Sequence, residues 1–180
     1  MQRRPCAADQ RAASISDKGV IVENLQLRAV IESDLPIFFE HQQDADARHM
    51  AAFTAKDPAD WHAFLAHWHR NLAAPTVIIR TILVDGAVAG SVLSYETDGE
   101  PEVSYWLGRE FWGRGIATTA LARFLAEVNP QRPIFARVAK DNLSSRHVLE
   151  KCGFVVIGAD KGYANARDAE IEELILQRAV

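Results

Sequence analysis

The sequence of 180 residues has few cysteines, little excess charge of one sign and no long apolar run. Cys6 and Cys152 are its only cysteines, which are too few for a disulfide framework or a cysteine-rich zinc site. No stretch reaches the roughly 18 apolar residues that a membrane-spanning helix needs. The formal net charge of −4 argues against broad electrostatic binding of nucleic acid.

The N-terminal segment lacks the features of a secretory signal. Arg3 and Arg4 are not followed by an apolar h-region. We expect a loose, polar leader over residues 1–20, with Cys6 as an exposed thiol, and a single domain over residues 21–180. With 48% apolar and 24% charged residues, the composition is that of a soluble protein. These observations predict a cytoplasmic protein with no metal, no membrane partner and no nucleic-acid partner.

Hydrophobic periodicity and turn residues predict the secondary structure. Apolar and β-branched runs predict strands over residues 25–28, 77–84, 87–95, 102–107, 133–139, 154–157 and 170–177, with Asp85-Gly86 as a hairpin turn. Four helices are predicted, beginning at Ser33, Asp57, Gly115 and Asn142. Residues 42–48 are read as a polar stretch between the first two helices. This order predicts an α/β (α+β) fold whose mixed, largely antiparallel sheet has about six to seven strands, flanked by about four helices.

A turn containing glycines leads from the fourth predicted strand into the third predicted helix. This arrangement presents free backbone N–H groups at a helix N-terminus to an anion. Gly113 and Gly115 allow close approach of a phosphate, and Arg114 adds a positive charge. The turn is therefore a candidate phosphate or pyrophosphate site. A tight turn whose glycines serve only its geometry is the alternative.

Two common phosphate-binding patterns do not fit this turn. A P-loop needs Gly-Lys-Ser/Thr, whereas Gly115 is followed by Ile116 and Ala117. A dinucleotide fingerprint needs a third glycine where Thr118 stands. It also needs an acidic residue after the next strand, whereas Glu127 lies inside the predicted helix.

The segment Trp112-Gly113-Arg114-Gly115-Ile116-Ala117 resembles the acyl-CoA pyrophosphate loop of the GNAT superfamily of N-acyltransferases. The family pattern is Gln/Arg-x-x-Gly-x-Gly/Ala, and the match covers Gly115 and Ala117. Trp112 departs from the pattern's first position. A tryptophan there is familiar in the branch that resembles ribosomal-protein N-terminal acetyltransferases.

A second, downstream motif resembles the same branch. Asn142-Leu143-Ser144-Ser145 is similar to its Asn-x-x-Ser, and residues 148–154 are similar to its Leu-Glu-Lys-x-Gly-Phe. The resemblance extends from about Leu25 to Leu176. It implies a GNAT-like fold in which acetyl-CoA, as co-substrate, lies where two neighbouring strands splay apart.

The resemblance also implies roles for individual residues. The strand that ends at Leu107 offers backbone groups to the pantetheine arm, the thioester carbonyl and the oxyanion, around Trp106 and Leu107. Asn142 bonds the pantetheine or helps to position the acceptor; it also suits a helix cap. The pyrophosphate is held by the loop, which consists of Trp112, Gly113, Arg114, Gly115, Ile116 and Ala117.

Two residues are candidates for the chemical step. Ser145 lies on the inner face of its predicted helix, where its hydroxyl would donate a hydrogen bond to the sulfur of the departing CoA. The alternative is a first-turn serine that bonds the backbone. Glu102, at the start of its strand, is the candidate general base; the alternative is a solvated glutamate and a water relay. Cys152, on the same helix face as Ser145, is interpreted as a small core residue.

The implied function is transfer of the acetyl group of acetyl-CoA directly to a primary amine within a ternary complex. The acceptor is a protein N-terminus or a small-molecule amine, and residues 42–48 are expected to help form its pocket. A non-catalytic acyl-CoA-binding or regulatory module on the same fold is the alternative. Many members of the family form dimers, so a homodimer is an expectation from the resemblance alone.

Overall fold

The molecule is organised around one sheet, and the computed structural model describes residues 24–180 of the chain. Its strands are β1 Leu25–Arg28, β2 Ile78–Val84, β3 Ala87–Thr97, β4 Glu100–Leu107, β5 Ile134–Ala139, β6 Val155–Ala164 and β7 Ala169–Arg178. They lie in the order β1-β2-β3-β4-β5-β7-β6. Neighbours are antiparallel, apart from the parallel pair β4 and β5. The predicted mixed, largely antiparallel sheet is confirmed. The predicted leader and Cys6 lie outside the described residues.

Five α-helices flank this sheet within residues 24–180. They are α1 Leu35–His41, α2 Ala45–Ala51, α3 Trp61–Ala73, α4 Ile116–Arg123 and α5 Leu143–Lys151. A π-helical segment, Phe124–Val128, extends α4, so the predicted long helix is one continuous element with a change of pitch. None of the helices in this part of the chain has both the length and the apolar character needed to cross a membrane.

Two predicted helix starts are wrong. Ser33 lies inside a single 3-10 turn, Glu32–Asp34, rather than capping α1. Asp60 caps α3 by accepting a hydrogen bond from the backbone N–H of Ala63 at 2.9 Å. Asp57 instead accepts from the backbone N–H of Ala59, so it belongs to the preceding turn.

Helix α2 was missed because its sequence, ADARHMA, has no apolar stripe of helical period. The side chain of Asp44 caps it by accepting a hydrogen bond from the backbone N–H of Ala47. The residues interpreted as a polar stretch therefore include the cap and first half of a helix. Five helices consequently replace the four predicted.

The two faces of the sheet pack against different helices. Val92 and Leu93 are neighbours in β3, so their side chains point to opposite faces. Val92 belongs to the larger core with residues of α4 and α5, while Leu93 packs with residues of α1 and α3. Cys152 is buried in the larger core, which confirms its interpretation as a core residue. Burial raises the pKa of its thiol to about 11.

Candidate functional site

The central strands β4 and β5 separate to form a cleft. They are paired at a single register position, Glu102 with Phe135, and both strands continue past it. The divergence opens a cavity of about 1040 Å³. It is lined by both strands and by the beginnings of α4 and α5. The splayed pair expected from the resemblance is thus present.

The glycine-containing turn closes one end of this cavity. Gly115 caps α4 with φ 74°, and Gly113 has φ 71°. Both values lie in the left-handed region, where a residue with a Cβ is strained. The first N–H groups of a helix have no partner within it, so those of the first turn of α4 are available to an anion at the cavity. Arg114 lies over the ring of Phe111, with its guanidinium carbon 5.8 Å from the ring centroid.

The backbone of β4 offers donors to the cleft at alternate residues. The N–H of Gly108 donates to the carbonyl of Ala89 in β3. A Cβ at Gly90 of β3 would overlap the carbonyl oxygen of Trp106, so that peptide oxygen also faces β3. Because backbone groups alternate along a strand, the N–H of Leu107 faces the cleft. Trp106 is among the lining residues, and its buried indole nitrogen has no hydrogen-bond partner among the described residues.

Asn142 lies at the cavity and links two elements. Its Oδ1 accepts a hydrogen bond from the backbone N–H of Ser145 at 3.0 Å, so it caps α5. Its Nδ2 donates to the carbonyl of Met50 at 2.9 Å, near the end of α2. The predicted cap is confirmed. The same amide ties α5 to α2, which also lines the cavity.

Ser145 lines the cavity and is hydrogen-bonded to Tyr105 of β4. The two hydroxyl oxygens are 2.8 Å apart, and the Tyr105 hydroxyl is also 3.3 Å from the Ser145 carbonyl oxygen. Burial raises the pKa of Tyr105 far above its usual value. The sequence pattern predicts a strand at Tyr105 but no functional role for it. The partners are forty positions apart, so no local pattern could reveal the pair.

Glu102 is buried within a charged cluster. Its carboxylate accepts hydrogen bonds from Arg137 at 3.0 Å and from the hydroxyl of Tyr95 at 3.2 Å. Arg137 also donates to Glu173 of β7 at 2.9 Å. Tyr95, Arg137 and Glu173 line the cavity, and Glu102 lies behind them. Burial, followed by the nearby Glu102 carboxylate, raises the pKa of Tyr95 to about 12.

Arg137 and Glu173 are site residues that the sequence pattern does not predict. The two residues come from β5 and β7 and meet only when those strands pair. Arg137, which Glu173 also holds, bonds the Glu102 carboxylate, which the sequence pattern suggested was either beside Trp106 or in solvent. No group of three or more His, Cys, Asp or Glu side chains suited to a metal ion occurs among residues 24–180.

One wall of the cavity comes from α2 and the residues after it. Ala47, Met50, Ala51 and Phe53 line the cavity there. Ala47 belongs to the stretch expected to help form an acceptor pocket, whereas the other three follow that stretch. This wall is mainly apolar.

Comparison with known proteins identifies the family. Residues 24–155 match the acetyltransferase (GNAT) domain. The chain belongs to the GNAT acetyltransferase family. A Bacillus subtilis (strain 168) protein named "Putative ribosomal N-acetyltransferase YdaF" is 28% identical over 117 residues, which cover 59% of this chain and 63% of that protein. The aligned part therefore spans less than two thirds of this GNAT relative, whose name agrees with the predicted branch.

Solved GNAT structures share the fold. Mycobacterium smegmatis RimJ in complex with CoA-disulfide superposes with a TM-score of 0.71 at 24% identity, covering 87% of this chain and 82% of that chain. The microcin C7 self-immunity acetyltransferase MccE, in complex with acetyl-CoA and AMP, gives a TM-score of 0.72 at 17% identity. The MccE match covers 87% of this chain and 92% of that chain. At these identities the likeness shows the fold alone.

Proposed function

We propose that the protein transfers the acetyl group of acetyl-CoA to a primary amine by direct attack in a ternary complex. The observation that carries this proposal is the cleft between β4 and β5, which opens beside the glycine-containing turn. A phosphate group suits the first turn of α4, and an extended arm suits the unpaired edge of β4. The pyrophosphate would contact the loop from Trp112 to Ala117, with Gly113, Arg114, Gly115 and Ile116 between them.

The thioester would lie against the cleft side of β4. The N–H of Leu107 is directed there, and such a fixed donor stabilises the oxyanion that forms as the amine attacks. The backbone of Trp106 faces β3, so its contribution would come from the indole that lines the cavity. Asn142 would contact the pantetheine arm while it holds the start of α5.

The attacking amine must lose a proton, and we assign Glu102 as the general base that accepts it. Glu102 lies behind Tyr95 and Arg137, so the proton would pass through the Tyr95 hydroxyl or through water. Ser145 would donate a hydrogen bond to the CoA sulfur as the carbon–sulfur bond breaks. No covalent enzyme intermediate is needed, because the amine attacks the thioester itself.

The acceptor class is a protein N-terminus or a small-molecule amine. The similarity to YdaF supports the first, because that relative's name specifies ribosomal N-acetylation. The cavity lining is compatible with both, since it combines the apolar wall of α2 and the residues after it with the charged pair of Arg137 and Glu173. A cytoplasmic location and a homodimer stay predictions from sequence and resemblance.

The test is turnover of acetyl-CoA with three kinds of amine: peptides with free N-termini, polyamines and amino acids. Release of free CoA thiol reports turnover, and mass spectrometry of the amine verifies a gain of one acetyl group. Amine-dependent release with the acetylated product is the expected result. Tight binding of acetyl-CoA without release for any amine would instead support the non-catalytic binding module. Absence of acetyl-CoA binding would contradict both functions.

A further inference from the structure

Tyr105 and Ser145 form a pair of hydroxyl groups at the cavity. Their oxygens are 2.8 Å apart, which is a normal hydrogen-bond length. Both residues line the cavity, although Tyr105 is otherwise enclosed by the larger core. Because burial keeps the pKa of Tyr105 high, its hydroxyl stays protonated throughout the neutral range. Tyr105 therefore keeps a proton that it can donate, and it does not act as a base.

The direction of this hydrogen bond decides what Ser145 can do. A serine hydroxyl has one proton and two acceptor lone pairs. When Ser145 donates to Tyr105, its proton is unavailable to any group in the cavity. When Tyr105 donates to Ser145, the serine proton is free to point at a ligand atom.

We propose that Tyr105 is a positioning residue that acts through Ser145. Tyr105 donates to Oγ of Ser145, and Ser145 donates to the sulfur of the departing CoA; this inference rests on the proposed acetyl transfer. As the carbon–sulfur bond breaks, its electron pair stays on sulfur. The two linked hydrogen bonds stabilise that charge, because each polarises the next. Neither hydroxyl has to lose its proton.

The alternative is that the Tyr105 hydroxyl only fastens α5 to the sheet. The start of α5 has other attachments, since Asn142 caps it and also bonds the carbonyl of Met50. The hydroxyl of Tyr105 is therefore not the only link that orients this helix. Its shorter contact is with the Ser145 side chain, and the backbone carbonyl is 0.5 Å farther away (3.3 Å against 2.8 Å).

The experiment is a double-mutant cycle on the acetyl-transfer step. The variants are Tyr105→Phe, Ser145→Ala and the double variant, with Tyr163→Phe as a control that removes an exposed phenol hydroxyl bonded to Asp168. The single-turnover rate constant is measured with acetyl-CoA and an amine that the wild type acetylates. The dissociation constant of acetyl-CoA is measured by calorimetry for each protein.

We expect Ser145→Ala to lower the rate constant by tenfold or more, because hydrogen bonds to a charged group are the stronger ones; roughly tenfold to a hundredfold is typical. Tyr105→Phe should lower it about fivefold, the effect of one neutral hydrogen bond. In the Ser145→Ala background, Tyr105→Phe should have no further effect. The affinity for acetyl-CoA should change less than twofold, because the contact with sulfur becomes strong only as the carbon–sulfur bond breaks.

Other outcomes would overturn the inference. Equal fold-losses for Tyr105→Phe with and without Ser145 would show that the tyrosine acts independently of the serine. A normal rate for Tyr105→Phe, or a loss confined to acetyl-CoA affinity, would show a structural role only. If the wild type acetylates no amine, the proposed function fails and this inference fails with it.

Discussion

The indole N–H of Trp112 donates a hydrogen bond to the carbonyl oxygen of Leu107 at 3.1 Å. Leu107 ends β4, and Trp112 begins the segment that resembles a pyrophosphate loop. The bond therefore fixes the loop against the strand whose backbone faces the cleft. This gives a physical reason for a tryptophan where the family pattern has Gln or Arg: the half-exposed side chain ties the loop to the end of β4.

Replacing Trp112 with phenylalanine should weaken acetyl-CoA binding. An aromatic ring is kept, although it is smaller, but the hydrogen bond to Leu107 is lost. Part of the free energy of binding must then be used to order the loop. We expect the dissociation constant to rise about fivefold, the equivalent of one hydrogen bond. Calorimetric titration checks this, with Trp61→Phe as a control, because Trp61 packs on Phe39 and Phe64 of α1 and α3. An equal effect of both substitutions would contradict the bracing role.

Gly115→Val should abolish acetyl-CoA binding while the protein stays folded. The added side chain would stand at the cap of α4, and the left-handed φ of 74° would become strained. Such strain costs about 1–3 kcal/mol of stability. Gly99→Val is the matched control, since Gly99 has φ 83° in an exposed hairpin turn with no atom within 4 Å of an added Cβ.

The two glycine variants separate strain from binding. Both should lower the free energy of unfolding by a similar amount, as measured in urea, but only Gly115→Val should lose acetyl-CoA in the calorimeter. Unchanged affinity in Gly115→Val would remove the argument that this turn holds the pyrophosphate.

Glu102→Gln should change the pH dependence of turnover. A carboxylate that accepts the amine's proton gives a rate that rises with pH as the group ionises, and glutamine removes that acidic limb. Glu173→Gln is the comparison, because Glu173 also bonds Arg137 but lines the cavity. An unaltered pH–rate profile in Glu102→Gln would show that water, not Glu102, accepts the proton of the amine. If the acidic limb of the pH–rate profile were lost in Glu173→Gln but kept in Glu102→Gln, Glu173 would be the general base.

The ionised carboxylate of Asp34 should stabilise the folded protein, and this stabilisation should be lost in acid. Burial by itself raises the pKa of this carboxyl, but hydrogen bonds from Arg28, Thr81 and the backbone of Ile31 outweigh it and hold the pKa below its usual value. A carboxyl whose pKa is lower when folded stabilises the folded state above the unfolded pKa, about 4. That contribution disappears as the pH falls through the folded pKa.

The free energy of unfolding, measured between pH 6 and pH 3, tests whether Asp34 loses its stabilising contribution as the pH falls. The Asp34→Asn variant should be less stable than the wild type at pH 6, by about 2 kcal/mol, and the gap should narrow as the pH falls. Asp98→Asn, which changes an exposed turn carboxylate, should leave the pH dependence as it is. A constant gap for Asp34→Asn would contradict the role of its ionised form.

Local sequence signals predict the seven strands and the glycine-containing turn, although β6 extends over Val155–Ala164, well past the predicted residues 154–157. Asp85-Gly86 marks its hairpin because two residues suffice to reverse a chain, and Gly113 and Gly115 mark positions where left-handed backbone is needed. The apolar stripe from Ile116 to Phe124 predicts a packed helix for the same local reason: its period matches one turn. The family resemblance rests on these local signals.

Which side chains meet depends on the tertiary structure. Helix α2 has no apolar stripe, so its placement depends on contacts such as that between Asn142 and Met50. The hydroxyl pair of Tyr105 and Ser145, and the bonds of Arg137 with Glu102 and Glu173, join residues 35 to 40 positions apart. Hydrophobic periodicity reports the face on which a residue lies, not its partner across a cleft. Strand order and the separation of β4 from β5 decide that partner, because they set which faces share one cavity.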